Sequence, residues 1–168
     1  RAMLSALTAT GLALATNSPT AAEAETMAQH RARMLRPADP DAPKVAMLVH
    51  PDMVALDLIG PMTVLKVLRC DVQLVWKDLA PVSTDVGLQL APTMTFERCP
   101  RELDVLFVPG GILGTTACMG DEEVLGFLAD RGSRSKWVTS VCTGGLLLAA
   151  AGLLRGYEAT AHWAVADL

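Results

Sequence analysis

The 168-residue chain has no GxGxxG run and no GxxxxGK[ST] run, so it supports neither a dinucleotide site nor a nucleoside triphosphate site. It has only four cysteines, Cys70, Cys99, Cys118 and Cys142, with no C-x-x-C pair and no histidine at zinc-site spacing from them. No metal and no cofactor is expected. Positive charge is also scarce. Lys and Arg number 14 against 18 Asp and Glu, a formal net charge of -4, which argues against an extended phosphate-binding surface and hence a nucleic-acid partner through these residues. Finally, the longest leading apolar stretch, residues 2–15, is too short to span a bilayer comfortably, so no membrane contact is expected beyond a leader.

That stretch is rich in alanine and leucine, starts after Arg1, and is followed by small residues with Ala22-Glu23-Ala24 as an A-x-A site. It reads as a signal peptide over residues 1–24. Thr8, Thr10, Gly11 and Thr16 moderate its hydropathy, which suits a twin-arginine leader cut short at its positive end. A periplasmic or exported location is then expected; without the leader reading, a cytoplasmic one is. Residues 25–43 are polar, carry Pro37, Pro40 and Pro43, and show little periodicity outside a short stretch near residues 27–35. They read as a linker. The globular part is residues 44–168, enough for one core. Residues 159–168 enter a new element with no stop signal, so the domain is expected to be incomplete at its C-terminal side.

Within that part, apolar strands alternate with helical patterns. Residues 45–49 form a continuous apolar run, as a strand covered on both faces does. Residues 56–68 carry apolar side chains at helical spacing, with Asp57 in the first turn and Pro61 early in the helix. Residues 71–76 read as a second strand, 81–96 as short strands in a hairpin or excursion around Gly87, 104–108 as a buried strand, 122–131 as a helix and 137–141 as a further strand. Such alternation predicts an α/β fold: a doubly wound, mostly parallel sheet with helices on both faces, a flavodoxin-like three-layer sandwich. Ligands bind such sheets at the carboxyl ends of the strands.

Three chemically pointed features fall at those ends. Asp57 comes after the first strand, Gly110-Gly111 after the 104–108 strand, and Cys142 after the 137–141 strand. In Ser140-Val141-Cys142-Thr143-Gly144-Gly145 the thiol stands between a β-branched run and the helix former Leu146-Leu147-Leu148, with Gly152 as the helix stop. A strand-to-helix turn of this kind forces an uncommon backbone conformation on its nucleophile and needs small neighbours for clearance. The adjacent helix start is expected to favour the thiolate. A buried structural cysteine is the alternative.

These residues resemble the ThiJ/PfpI superfamily, a branch of the class I glutamine amidotransferase-like fold. The resemblance rests on Leu56-Asp57-Leu58-Ile59-Gly60-Pro61, on residues 104–111, on Ser140-Val141-Cys142-Thr143-Gly144, and on Gly152-Leu153-Leu154-Arg155-Gly156 with Ala159-Thr160-Ala161-His162-Trp163. The Leu-Asp-x-x-Gly-Pro run looks like the isonitrile hydratase group and the sensor domains of AraC-type regulators. The resemblance implies Cys142 as nucleophile, Asp57 as acid and base, Thr143 as catalytic neighbour and His162 as a further candidate. One departure is Thr63, where the family usually carries an acidic residue. A homodimer acting on a small molecule is implied as well.

These residues can support a covalent mechanism: Cys142 attacks an electrophilic carbon, Asp57 moves protons, and amides near Gly111 and Thr143, with Gly110 and Gly144 close by, stabilise negative charge. Each residue has a plainer role open to it. Asp57 could cap its helix, Gly110-Gly111 could be an ordinary turn, His162 could pack against Trp163, and His50 reads as structural. The expected function is a hydratase of small carbon–nitrogen compounds. A ligand-sensing regulator domain and a redox protein that oxidises Cys142 reversibly are the alternatives.

Overall fold

A computed structural model describes residues 26–34 and 39–166. The expected signal peptide lies outside the described residues. The chain divides into two compact units, residues 1–36 and 37–168. In the first, the segment expected as linker contains helix α1 (Met27–Met34). Thr26 starts it with a reciprocal cap: Gln29 N donates to Thr26 Oγ1, and Thr26 N donates to Gln29 Oε1. Such a box satisfies donors that a helix start otherwise leaves open.

The second unit is the α/β domain. Its sheet holds five parallel strands in the order β5-β2-β1-β6-β7: β1 (Lys44–Leu48), β2 (Asp71–Trp76), β5 (Met94–Thr95), β6 (Val105–Val108) and β7 (Trp137–Ser140). β1 is central, with Val45 opposite Val72 on one side and Val105 on the other. Alternate residues point to opposite faces of a strand. Val45, Met47 and Phe107 therefore pack on Leu58, Met62 and Leu65 of α2 (Ala55–Val67). Ala46, Leu48, Leu106 and Val108 pack on the other side, against Cys118 of α3 (Ile112–Met119), Val124, Phe127 and Leu128 of α4 (Glu122–Gly132), and Leu147 and Leu148 of α5 (Gly144–Ala150). Each fully buried Leu or Val in these clusters contributes roughly 1.5–3 kcal/mol relative to exposure. The doubly wound three-layer sandwich is thus present.

The 81–96 segment divides in two. β3 (Val82–Ser83) and β4 (Gln89–Leu90) form an antiparallel hairpin, turned at Gly87 with φ 78°. β5 then leaves the hairpin and joins the main sheet beside β2. The hairpin has a consequence for α2. Asp85 Oδ1 accepts from Ala55 N at 3.0 Å, so the helix start is satisfied from thirty residues away. Pro61 sits in the second turn of α2, not the first, and withdraws the amide that would bond the Asp57 carbonyl. Thr63, the family departure, turns its hydroxyl back onto Ile59 O at 2.8 Å. α5 ends as the sequence requires: Gly152 at φ 77° and the Leu153 N to Leu148 O bond close a Schellman motif.

Candidate active site

Chain order places β2 on one side of β1 and β6 on the other, which opens a crevice at their carboxyl ends. Three turns meet there. The turn after β1 carries His50 to Val54, with Asp52 at φ 57°; the turn after β6 carries Gly110 and Gly111; the turn after β7 carries Cys142. They are tied by backbone bonds, Val54 N to Gly110 O at 2.9 Å and Val141 N to Val108 O at 3.2 Å. Gly111 has φ 145°, and a Cβ there would lie 2.5 Å from Asp52 O. Only glycine allows the first two turns to approach this closely.

Cys142 adopts φ 53°, a left-handed conformation at a non-glycine residue. Such a residue costs about 1–3 kcal/mol and persists when its surroundings hold it there. The surroundings are specific. His162 N donates to Cys142 O at 2.9 Å. A Cβ on Gly110 would stand 2.6 Å from Cys142 Cβ and 2.9 Å from Sγ, so the backbone of Gly110 is one wall of the sulfur's site. Gly144 has a different part: a Cβ there would lie 2.4 Å from Val108 O, and its own amide donates to Val141 O at 2.9 Å. It is a spacer between α5 and the end of β6, without an amide free for a ligand.

Asp57, half-buried in α2, does not cap its own helix. Asp85 takes that place, and Asp57 Oδ2 accepts instead from Gly110 N at 3.3 Å. Its carboxylate stands close enough to the Cys142 thiol to disfavour the thiolate. Thr143 is buried. Its amide and hydroxyl both favour negative charge on Cys142 Sγ, while its Oγ1 accepts from Gly111 N at 2.9 Å and lies 2.9 Å from Thr115 Oγ1. The amides expected to cradle negative charge are therefore already engaged. Gly111 N is held by Thr143, which removes it from that role; Thr143 N serves the sulfur; Gly110 N, at the long end of hydrogen bonding, is the donor most easily given up.

The expectation of a ready-made thiolate is corrected. Partial burial pushes the Cys142 thiol above its ordinary value, the Thr143 amide opposes this, and the neighbouring Asp57 carboxylate adds to it. The start of a seven-residue helix at Gly144 does not outweigh burial together with the neighbouring carboxylate. The site holds a thiol beside a carboxylate. His162 reaches Cys142 through its main chain. Its ring Nδ1 accepts from Ala164 N at 3.2 Å, capping the 3-10 turn Trp163–Val165, and its ring centre lies 5.3 Å from that of Trp163. His50 is fully buried, with Nδ1 on Pro51 O at 2.9 Å, and burial lowers its pKa. It is a neutral packing group beneath the turn after β1.

Two grooves elsewhere carry no cysteine. One, about 580 Å³, lies by Lys44, Asp104 and Lys136 at the amino ends of the strands; the other, about 630 Å³, runs along β7 by Trp137 and Tyr157. Among the described residues no cluster of His, Cys, Asp and Glu could hold a metal ion.

A parallel α/β domain with a strained cysteine and a carboxylate at its switch point defines a class of thiol-centred proteins. Within that class the chain belongs to the DJ-1/PfpI family, whose model matches residues 43–168. It is 52% identical over 126 residues to an isonitrile hydratase of Pseudomonas putida, covering 74% of this chain and 54% of that protein. An uncharacterised Streptomyces lividans protein encoded in the cpoL 5′ region is 39% identical over 126 residues, 71% of this chain and 87% of that one. The crystal structure of a ThiJ/PfpI family protein from Pseudomonas syringae superposes with a TM-score of 0.69 at 47% identity, covering 77% of this chain and 57% of that chain. The chain thus spans just over half the length of the first of these relatives.

Proposed function

We propose that the protein hydrates isonitriles to N-substituted formamides, with Cys142 as nucleophile, Asp57 as acid and base and Thr143 as their hydrogen-bonding neighbour. The observation that carries this reading is the thiol–carboxylate pair at one point. An isonitrile's terminal carbon must gain both a proton and a nucleophile, and a thiol with the Asp57 carboxylate beside it can deliver both there. The 52% identity to an isonitrile hydratase supports the same choice of substrate.

Asp57 takes the thiol proton and passes it to the terminal carbon while sulfur bonds that carbon, giving a thioimidate, R–N=CH–S. Water adds to this carbon, and Asp57 accepts one of its protons and passes it to nitrogen, giving R–NH–CH(OH)–S; the hydroxyl proton that remains goes to sulfur as it leaves. The tetrahedral adduct then expels sulfur, leaving R–NH–CHO and regenerating the thiol, so that one water is consumed per isonitrile. Gly110 N, weakly held by Asp57 at 3.3 Å, is the donor most easily turned to charge that develops beside the sulfur. Export of the protein and its assembly as a homodimer are further parts of this proposal, resting on residues 1–24 and on the family resemblance.

The test is turnover of a simple alkyl isonitrile by the intact protein, wild type beside Cys142→Ala, followed as loss of the isonitrile stretch and appearance of formamide. Formamide from wild type alone is expected. Equal turnover by Cys142→Ala, or none by a folded wild type with a reactive thiol, overturns the reading; the second result points to sensing or reversible oxidation at Cys142.

A further inference from the structure

Thr115 lies on α3, outside every motif read from the sequence, and is fully buried. α3 reaches the site because Gly114 lets it in: a Cβ there would lie 2.0 Å from Pro51 O and 2.6 Å from His50 Nδ1. The next residue, Thr116, spends its hydroxyl within the helix, on Ile112 O at 2.7 Å. Thr115 does not. Among the described residues its hydroxyl has one partner, Thr143 Oγ1 at 2.9 Å.

A hydroxyl has one proton and two acceptor sites. Gly111 N already occupies one acceptor site of Thr143 Oγ1. If Thr115 donates into the second, the Thr143 proton has to go elsewhere, and the sulfur of Cys142 is the group it reaches. We propose that Thr115 is a positioning residue, whose hydroxyl donates to Thr143 Oγ1 and so aims the Thr143 proton at Cys142 Sγ. The two hydroxyls then form a chain that strengthens as negative charge gathers on sulfur, since each donor polarises the next. Sulfur carries that charge when its proton leaves and again when the adduct expels it, so the turnover part of this inference rests on the function proposed above.

The groups around the chain of hydroxyls that titrate or carry charge are Asp57 from α2, His50 and Asp52 from the turn after β1, and His162 beyond α5. α3 itself has none. His50 is held neutral by burial, so Asp57 is the charge in direct contact with the sulfur.

The experiment measures the pH profile of Cys142 alkylation by iodoacetamide, beside isonitrile turnover, in Thr115→Val, Thr115→Ala and Thr115→Ser. Val keeps the shape and loses the hydroxyl; Ser keeps the hydroxyl and loses the methyl. Loss of one buried hydrogen bond in a chain is expected to move the alkylation midpoint up by about half a unit and slow turnover roughly threefold to tenfold in Val and Ala. Ser is expected to stay within about twofold of wild type. A structural role would make Ser and Ala worse than Val. An unmoved midpoint in Val and Ala, or a Ser variant shifted as far as Val, overturns the proposal. If wild type fails to turn over isonitrile while the alkylation shift appears, the hydratase reading fails and the positioning role stands.

Discussion

Cys118 and Cys142 lie in the same domain, and burial raises the pKa of both thiols. Cys118 sits in the last turn of α3 within the cluster of Val124, Phe127 and Leu128. Burial and the Asp121 charge push it up to about 11, only partly opposed by Lys77. Cys142 is half-buried, strained at φ 53°, and stands beside the Asp57 carboxylate, which adds to the rise, and the Thr143 donors, which oppose it. Desolvation is thus common to an inert cysteine and to the one proposed as a nucleophile. The two differ in the carboxylate and the Thr143 donors beside the Cys142 sulfur and in its partial exposure.

The largest effect that would test this contrast is steric. Gly110→Ala puts a methyl 2.6 Å from Cys142 Cβ and 2.9 Å from Sγ, and displacement of a reacting atom by about 1 Å costs on the order of 100-fold. Turnover should fall by about that factor, and the thermal transition should drop as well, because the methyl also stands 2.8 Å from the Thr143 backbone nitrogen. Gly126→Ala serves as its control: nothing lies within 4 Å of a Cβ there, in the middle of α4, so it should leave turnover unchanged and stabilise by roughly 0.5–1 kcal/mol. Equal turnover by both variants would mean that the Gly110 wall does not hold the sulfur.

A smaller effect compares the two thiols directly. At about pH 9, near the ordinary thiol range, the folded protein should acquire one carboxamidomethyl group, at Cys142, as located by peptide mass spectrometry. Cys118 should resist until the pH nears its raised value of about 11 or the protein unfolds, because a thiol whose pKa is raised remains protonated up to that higher value. Early labelling of Cys118 would show that the core around α3 opens readily and would erase the contrast.

The strands and their order of appearance were legible because their side chains are buried on both faces: β1 and β6 are unbroken apolar runs between polar turns. So was the convergence of Asp57, Gly110-Gly111 and Cys142, since a parallel sheet gathers the turns after its strands at one end. Helix α3 was not legible. Ile112–Met119 is apolar all round, with Gly114 and two threonines, and shows no stripe for a period to reveal; the glycine pair before it reads as the end of a turn. The capping box Thr26-x-x-Gln29 is a local signal of α1 inside a segment that its prolines mark as linker. Asp85 capping α2 and Thr115 reaching Thr143 depend on partners 30 and 28 residues apart, which no local pattern carries. The direction of the Cys142 shift lay beyond the sequence for the same reason. A helix start is visible in sequence, whereas a carboxylate's contact with the sulfur is not.

If Asp57 and Cys142 act as one proton-sharing pair, Asp57→Asn separates their two properties when alkylation and turnover are measured on the same preparation. Asn removes the charge that adds to burial in raising the thiol's pKa, so the alkylation midpoint should move down and Cys142 should react faster at neutral pH. Turnover of the isonitrile should nonetheless fall by about 100-fold or more, since the acid and base is gone. A midpoint that stays or rises, or turnover that climbs with the faster alkylation, would mean that the two groups do not share a proton.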